Sequence, residues 1–200
     1  MARLAYSKAS LSKLGAKLKR YKKFLPSLDL KRQQLAAERK KAQLQLQQTE
    51  LDLEQCYKQT AAMLPMLADK SIPVADLVKL TQVEIGEENV VGVHVPVLDK
   101  VTIDIRPYSL FTKPHWVDQL VVQLQLMMEL KIRQKIDVQR VEILGLALKK
   151  VTQRVNLFDK VLIPQAQQDI RKIRIYLSDM DTAGVVRAKS TKQKRLREAI

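Results

Sequence analysis

Residues 11–67 read LSKLGAKLKRYKKFLPSLDLKRQQLAAERKKAQLQLQQTELDLEQCYKQTAAMLPML, and this stretch decides the fold. Counting by sevens from Leu11 meets Leu18, Leu25, Arg32, Arg39, Leu46, Leu53, Thr60 and Leu67. Counting by sevens from Leu14 meets Tyr21, Leu28, Leu35, Ala42, Thr49, Cys56 and Met63. The two series lie three residues apart and never lose phase, which is the a/d seam of a coiled coil. Near the other end a second seam runs Leu120, Met127, Gln134, Val141, Leu148, Val155 and Leu162. Its partner series is Leu130, Asp137, Leu144, Val151 and Phe158. Two long seams around a compact insert predict a mostly α chain, a long antiparallel two-helix coiled coil with a small β-hairpin lobe between the helices. The expected divisions are a first helix within 1–67, a connecting lobe over 68–114, and a second long helix with a basic tail over 115–200.

Composition fits such a rod. Aromatic residues make up 4% of the chain and there are only 5 Gly, whereas Leu, Gln, Lys and Ala abound. Each helix buries one stripe, so stability comes from repeated layers, each buried Leu contributing roughly 1.5–3 kcal/mol. The formal net charge of +15 implies an acidic partner, be it nucleic acid, anionic lipid or protein. One Cys rules out an internal disulfide and suits a reducing compartment. Cys56 falls on a d position and reads as a small buried hydrophobe. The lysines at 8, 13, 17 and 19 precede no apolar run, so no signal peptide is expected. No stretch approaches the ~20 apolar residues of a membrane span, and the protein is expected in the cytoplasm.

Taken in order, Ser7 or Ser10 can cap a helix running from about residue 8 to 66, roughly 90 Å long. Its first turns carry Lys13, Lys17, Lys19, Arg20, Lys22 and Lys23, either a solvated face or one that binds a partner. Pro26 lacks an N–H and predicts a kink or short break. Arg32 and Arg39 stand on seam positions, where their stems can pack while the guanidinium heads reach the edge, or pair with a partner's acids. A short helix is expected from Val74 to Thr81. Then the period changes to two: Val91, Val93, Val95, followed by Val101, Ile103, Ile105, with Pro96, Asp99 and Lys100 read as the turn of a hairpin. Two strands are marginal alone and must lean on the helices or a partner. His94 reads as a surface residue, and His115 beside Trp116 as a capping or packing residue. Pro164 predicts a second kink, and the phase shift to Ile163, Ala166, Ile170, Ile173, Leu177 and Met180 reads as a four-residue stutter. Folding the helices back on each other places Leu11 opposite roughly residue 172. Both termini then share a bare tip, with a tail that is frayed or ordered by a partner.

No Gly-rich phosphate loop, His/Cys cluster or nucleophile elbow is present. The chain reads as non-catalytic, with no cofactor and no metal.

Three stretches carry a family resemblance. They are Leu14-Gly15-Ala16-Lys17-Leu18-Lys19-Arg20 continuing to Leu30-Lys31-Arg32-Gln33-Gln34-Leu35, then Glu88-Asn89-Val90-Val91-Gly92-Val93-His94-Val95-Pro96, then Arg154-Val155-Asn156-Leu157-Phe158-Asp159 with Ile163-Pro164. Together they resemble the D subunit of the V-type (archaeal/vacuolar-type) rotary ATPases. In that family the third motif usually ends Ala-Leu-Glu where this chain has Leu157-Phe158-Asp159, and Pro26 is a departure from the archaeal members. The resemblance implies a non-catalytic central-stalk rotor subunit that transmits torque between ATP hydrolysis or synthesis and ion transport. Its implied partners are the catalytic and nucleotide-binding subunits of a hexamer, the F subunit of the stalk and a funnel subunit at the membrane ring, so that it sits peripheral to the membrane. Candidate hexamer-facing residues at the tip are Lys8, Lys13, Lys17, Arg20, Arg187, Lys189, Lys192, Lys194 and Arg195. Candidates for packing or lower-stalk contact are Val91, Val93, Val95, Val101, Ile103 and Ile105. The rival readings are a basic hairpin that binds nucleic acid, against which the scarcity of aromatics for stacking counts, and a chaperone or tethering adaptor.

Overall fold

The computed structural model describes residues 5–62, 77–108 and 114–198. In chain order it contains helix α1 (Lys8–Ala62), strands β1 (Val78–Val90) and β2 (Val93–Ile105), helix α2 (Trp116–Asn156), a π-helical turn (Leu157–Leu162) and helix α3 (Ile163–Glu198). The chain forms two compact units, one of residues 1–31 with 151–200 and the other of residues 32–150. Met63, Leu67 and Val74 lie outside the described residues.

In the larger unit, the seam of α1 packs on α2. Leu35, Ala42, Thr49, Leu53 and Cys56 are buried, as are Leu130, Asp137 and Leu144 of α2. Leu53, Cys56 and Leu130 form one apolar cluster with Met127 against it, and the Cys56 thiol stands 3.5 Å from Gln123 Oε1. One layer is polar. Thr49 Oγ1 lies 3.0 Å from Asp137 Oδ2 and 3.0 Å from Gln45 O, so its single proton serves one acceptor at a time. Both residues are about 95% buried. A polar pair in an otherwise apolar seam fixes register, because any slip would bury one member against hydrocarbon.

The hairpin differs from the expectation in a definite way. Both β runs read from the sequence, apart from Val91, lie on one strand, β2, whose partner β1 supplies Val78–Val90. The turn is Val91–Gly92, with φ of 53° and 75°, the type I′ geometry that matches the twist of flanking strands. Asn89 Oδ1 accepts from the Gly92 N–H at 2.8 Å and braces it. Pro96, Asp99 and Lys100 sit inside β2 instead of forming a turn; proline is tolerated because a two-stranded sheet consists of edges. Residues 78–81 of the expected short helix are β1, since Val78, Leu80 and Val83 pair across to the Val101–Ile105 run.

The hairpin lies along α2. Leu77 packs with Trp116, Val117, Leu120 and Val121, with Val78 and Tyr108 against them. Farther along, Arg140 of α2 donates to Glu88 at 2.7 Å. Ten residues of β1 span about 33 Å and the twenty from Leu120 to Arg140 about 30 Å, so strand and helix run side by side. Val95 pairs with Glu88, shares its face, and is fully buried.

The smaller unit pairs the start of α1 with the end of α2 and α3. Ser7 caps α1, accepting from the Ser10 N–H at 3.2 Å. The helix continues through Pro26, so of the kink or short break expected there the break does not occur. Tyr6 packs on Tyr176 with ring centroids 5.0 Å apart, and Tyr21 meets Phe158 edge-on at 5.4 Å. Pro164 resolves differently from a simple kink or stutter. The inward series runs Val155, Phe158, Leu162, Ala166, Ile170, Ile173, with Phe158 and Leu162 half-buried and the others buried, three steps of four in succession, which amounts to one extra residue. The π turn absorbs it: the Ile163 N–H reaches back five residues to Phe158 O, widening the helix where the Pro164 ring would clash with a carbonyl. The tail is helical to Glu198.

These features lead to three expectations. Valine is strained at positive φ, by about 1–2 kcal/mol, so Val91→Asn raises the melting temperature by roughly 2–4 °C per kcal/mol recovered, read by circular dichroism. Thr49→Val strips buried Asp137 of a partner and costs about 1–3 kcal/mol, whereas adding Asp137→Leu restores most of the loss; a double-mutant cycle in denaturant measures it. The phenol of Tyr108 donates to Asp118 at 2.7 Å, and that hydrogen bond, with some burial and the carboxylate charge, raises its pKa above the usual 10.0. The fold holds this proton more tightly than the unfolded chain, so the contribution is complete below pH ~10 and disappears as pH climbs through the raised value. In an alkaline absorbance titration Tyr108→Phe removes a phenol that titrates above its usual range.

Candidate partner interface

Among the described residues no group of three or more His, Cys, Asp or Glu could hold a metal ion, and no helix is long and apolar enough to cross a membrane. The exposed His94 lies 3.7 Å from Glu87, and His115 is exposed beside buried Trp116. What the surface offers is charge.

The charge is unevenly shared. The smaller unit carries 20 Lys and Arg against 6 Asp and Glu, a net of +14, while the larger has 16 against 15. Lys8, Lys13, Lys17 and Arg20 are exposed on α1, on the faces left by Leu11, Leu14, Leu18 and Tyr21. Lys8 and Leu11 share a shallow groove with Arg174, Leu177, Asp181 and Val185 of α3, so α1 begins opposite residues 174–185. Leu11, Leu18, Ile170 and Arg174 line the next groove. From Val185 to Glu198, α3 runs on for about 20 Å. Arg187, Lys189, Lys192, Lys194 and Arg195 are all exposed there, and Arg187 Nε folds back to donate to Ala183 O at 3.2 Å. Two valines, Val185 and Val186, are more than half exposed on the same stretch. Lys13, Lys17 and Arg20 are placed farther along α1, away from this basic end of α3.

Of the hairpin candidates, Val95 is packed inside, Val93, Val101 and Ile103 are half-buried, Ile105 is 39% exposed, and Val91 is in the turn. On the seam, Leu25, Leu28, Leu46, Val141, Leu148 and Leu162 are half-buried, and Val151 and Val155 buried. The sequence reading missed two arrangements. The Arg140–Glu88 pair joins residues 52 apart, for which no local pattern exists. The second joins Arg39 to Gly145: a β-carbon placed on Gly145 would stand 3.5 Å from Arg39 Nε and 3.7 Å from Cζ, and that Nε is buried with no hydrogen-bond partner. Arg39 was legible as a charged residue on an apolar seam; its neighbour was not.

With this geometry in place, comparison with known proteins is informative. Residues 10–193 match the family described as the D subunit of ATP synthase. The V-type ATP synthase D subunit of Borreliella burgdorferi is 33% identical over 199 residues, 99% of this chain and 98% of that protein. The protein of the same name from Chlamydia abortus is 34% identical over 189 residues, 89% of this chain and 86% of its own length. That from Chlamydia muridarum is 35% identical over 176 residues, covering 86% and 85%. On both counts the chain belongs to the family of ATP synthase D subunits.

Proposed function

We propose that the chain is the central-stalk rotor subunit of a V-type ATPase, passing torque between nucleotide chemistry in a surrounding hexamer and ion movement through a membrane ring. It contributes no catalytic group itself. The concentration of +14 in the unit that holds both chain ends is the observation that carries this reading. A basic end seated within a ring of catalytic and nucleotide-binding subunits meets acidic side chains as it turns. Exposed ion pairs are worth only ~0.2–1 kcal/mol each, so contacts form and break without braking the motion. The helix pair resists twist because rotation of one helix against the other disturbs many packed layers together. An asymmetric shaft presents a different face to each catalytic interface and shifts their conformations by differential contact. The stalk's F subunit and a funnel subunit at the membrane ring belong to the nearly neutral larger unit in this scheme, and the protein stays peripheral to the membrane.

Native mass spectrometry of the chain with the hexamer and the F subunit tests the assignment: one copy enters each hexamer, and the F subunit adds in a second step. Failure to enter, together with tight salt-sensitive RNA binding, would replace the rotor by a nucleic-acid-binding hairpin. Replacing Lys189, Lys192, Lys194 and Arg195 by Gln weakens association with the hexamer by about tenfold or more at low salt and flattens its salt dependence, with the melting temperature of the chain unchanged.

A further inference from the structure

We infer that the outer edge of β1, around Glu87, takes an extended segment of a neighbouring subunit as a third strand. That segment sets a cation beside Glu87 and an aliphatic side chain beside Ile85. The turn decides which backbone groups face outward. Val90 and Val93 close a two-residue turn, so this pair is hydrogen-bonded and the pairs behind it alternate. Asn89–His94, Glu87–Pro96 and Ile85–Leu98 are then the non-hydrogen-bonded pairs, whose N–H and C=O groups point away from the ladder. Pro96 agrees with this, since the donor it lacks would have pointed outward. The two edges therefore differ. β2 has no donor at Pro96 and is bulged at Asp99, which no residue of β1 opposes, and both devices blunt a strand edge. β1 offers the amides of Ile85, Glu87 and Asn89 in an uninterrupted row. Among the described residues the sheet has two strands, and no backbone hydrogen bond ties that row to another element. β1 is also the outlying strand: Ile85, Glu87, Glu88 and Asn89 are exposed, whereas Val95, Pro96, Val97 and Leu98 are buried or half-buried.

Glu88 and Val95 face α2, so the pleat turns the side chains of Ile85, Glu87 and Asn89 to the other face. Ile85 is 55% exposed there. Charge chooses the occupant. Between Val78 and Ile105 stand Glu84, Glu87, Glu88, Asp99 and Asp104 against Lys79 and Lys100, a net of −3 in a chain of +15. Glu88 is held by Arg140 and Glu84 lies across from Lys100. Glu87 has the His94 imidazole at 3.7 Å, which is no permanent cation. The Asp99 carboxylate occupies the space a side chain at Gly86 would take and adds a further negative charge to this row. An added strand places residues two apart beside Ile85 and Glu87 on one face, which fits an aliphatic residue and a Lys or Arg at that spacing. A second copy is disfavoured because two acidic β1 edges would meet, and phosphates of nucleic acid or lipid are repelled. Main-chain hydrogen bonds give such a contact its affinity, and the alternate side chains give it its choice of partner.

The inference needs membership in the assembly and not the rotor role. A chain that never enters the hexamer but carries the third strand refutes the rotor alone; one that enters with a bare edge refutes the third strand alone. Amide hydrogen exchange is compared between the purified intact complex and the free full-length chain, with electron-transfer fragmentation to read single amides. The expected result is alternate protection. Ile85, Glu87 and Asn89 exchange about tenfold or more slowly in the complex, whereas Gly86, Glu88 and Val90, already bonded to β2, change little. Covering of the face alone would not single out every second amide. Two variants then test the chemistry. Glu87→Lys keeps every ladder bond and reverses the charge, while Glu87→Pro removes one outward N–H, as Pro96 does on β2. Each lowers retention of one and the same subunit about fivefold or more in native mass spectrometry of the complex, and Glu87→Lys leaves the melting temperature of the free chain unchanged. Equal exchange at the three amides in chain and complex, protection that appears in the free chain as its concentration rises, or a Glu87→Lys complex that keeps its full composition would overturn the inference.

Discussion

Two helices that each bury a single stripe stay paired only while the stripe keeps facing the partner, and that phase constraint governs this molecule. A straight α-helix drifts by about 20° per heptad against a seven-residue repeat, so a long seam has to be held in register by something more specific than oil. Here the specific elements are few. Thr49 and Asp137 pin the larger unit at one layer, and Tyr21 on Phe158 shapes a layer of the smaller one. The seam leucines Leu11, Leu14, Leu18, Leu25 and Leu28 contribute attraction without choosing a partner layer. The hairpin depends on the same helix: its base packs on Trp116, Val117, Leu120 and Val121, and Arg140 holds it farther along.

Much of this was legible in the sequence because heptad counting measures a geometric requirement directly. The d positions from Leu14 to Cys56 are all buried or half-buried, and even the oddities in the count, Thr49 and Asp137, are where the count places them. Legibility failed where local patterns compete. Val91 continues an alternating valine run, so periodicity assigns it to a strand; the fold turns there because Gly92 follows at positive φ and Asn89 braces the loop. Pro96 reads as a turn residue by composition, yet pairing of β2 with β1 overrides it. Pro26 reads as a break, yet packing of Tyr21 and Leu28 on the seam carries α1 across it. The partner interface was legible as a list of lysines and arginines, but not as a segregation of charge, since the unit that carries it is assembled from the two ends of the chain.

Charge and stability are thereby assigned to different materials. Apolar layers hold the smaller unit together against its own repulsion, which at physiological salt acts over about 8 Å. Lys13, Lys17, Lys19, Arg20, Lys22 and Lys23 crowd a few turns of one helix, an arrangement that is costly in a free monomer and relieved by an acidic surround. In the larger unit the balance of signs removes that tension.

The π turn at Leu157–Leu162 has a consequence for how such chains change over generations. It houses one residue more than an α-helix of the same reach, and the stripes on either side are in phase only because of it. Elsewhere along α2 or α3, gaining or losing a single residue rotates everything downstream by about 100° and turns the buried face outward. At this turn alone the surplus already exists, so losing one residue restores an unbroken heptad, provided Pro164 is lost with it. Relatives of different length are therefore expected to trade their one-residue insertions and deletions here, in company with the proline.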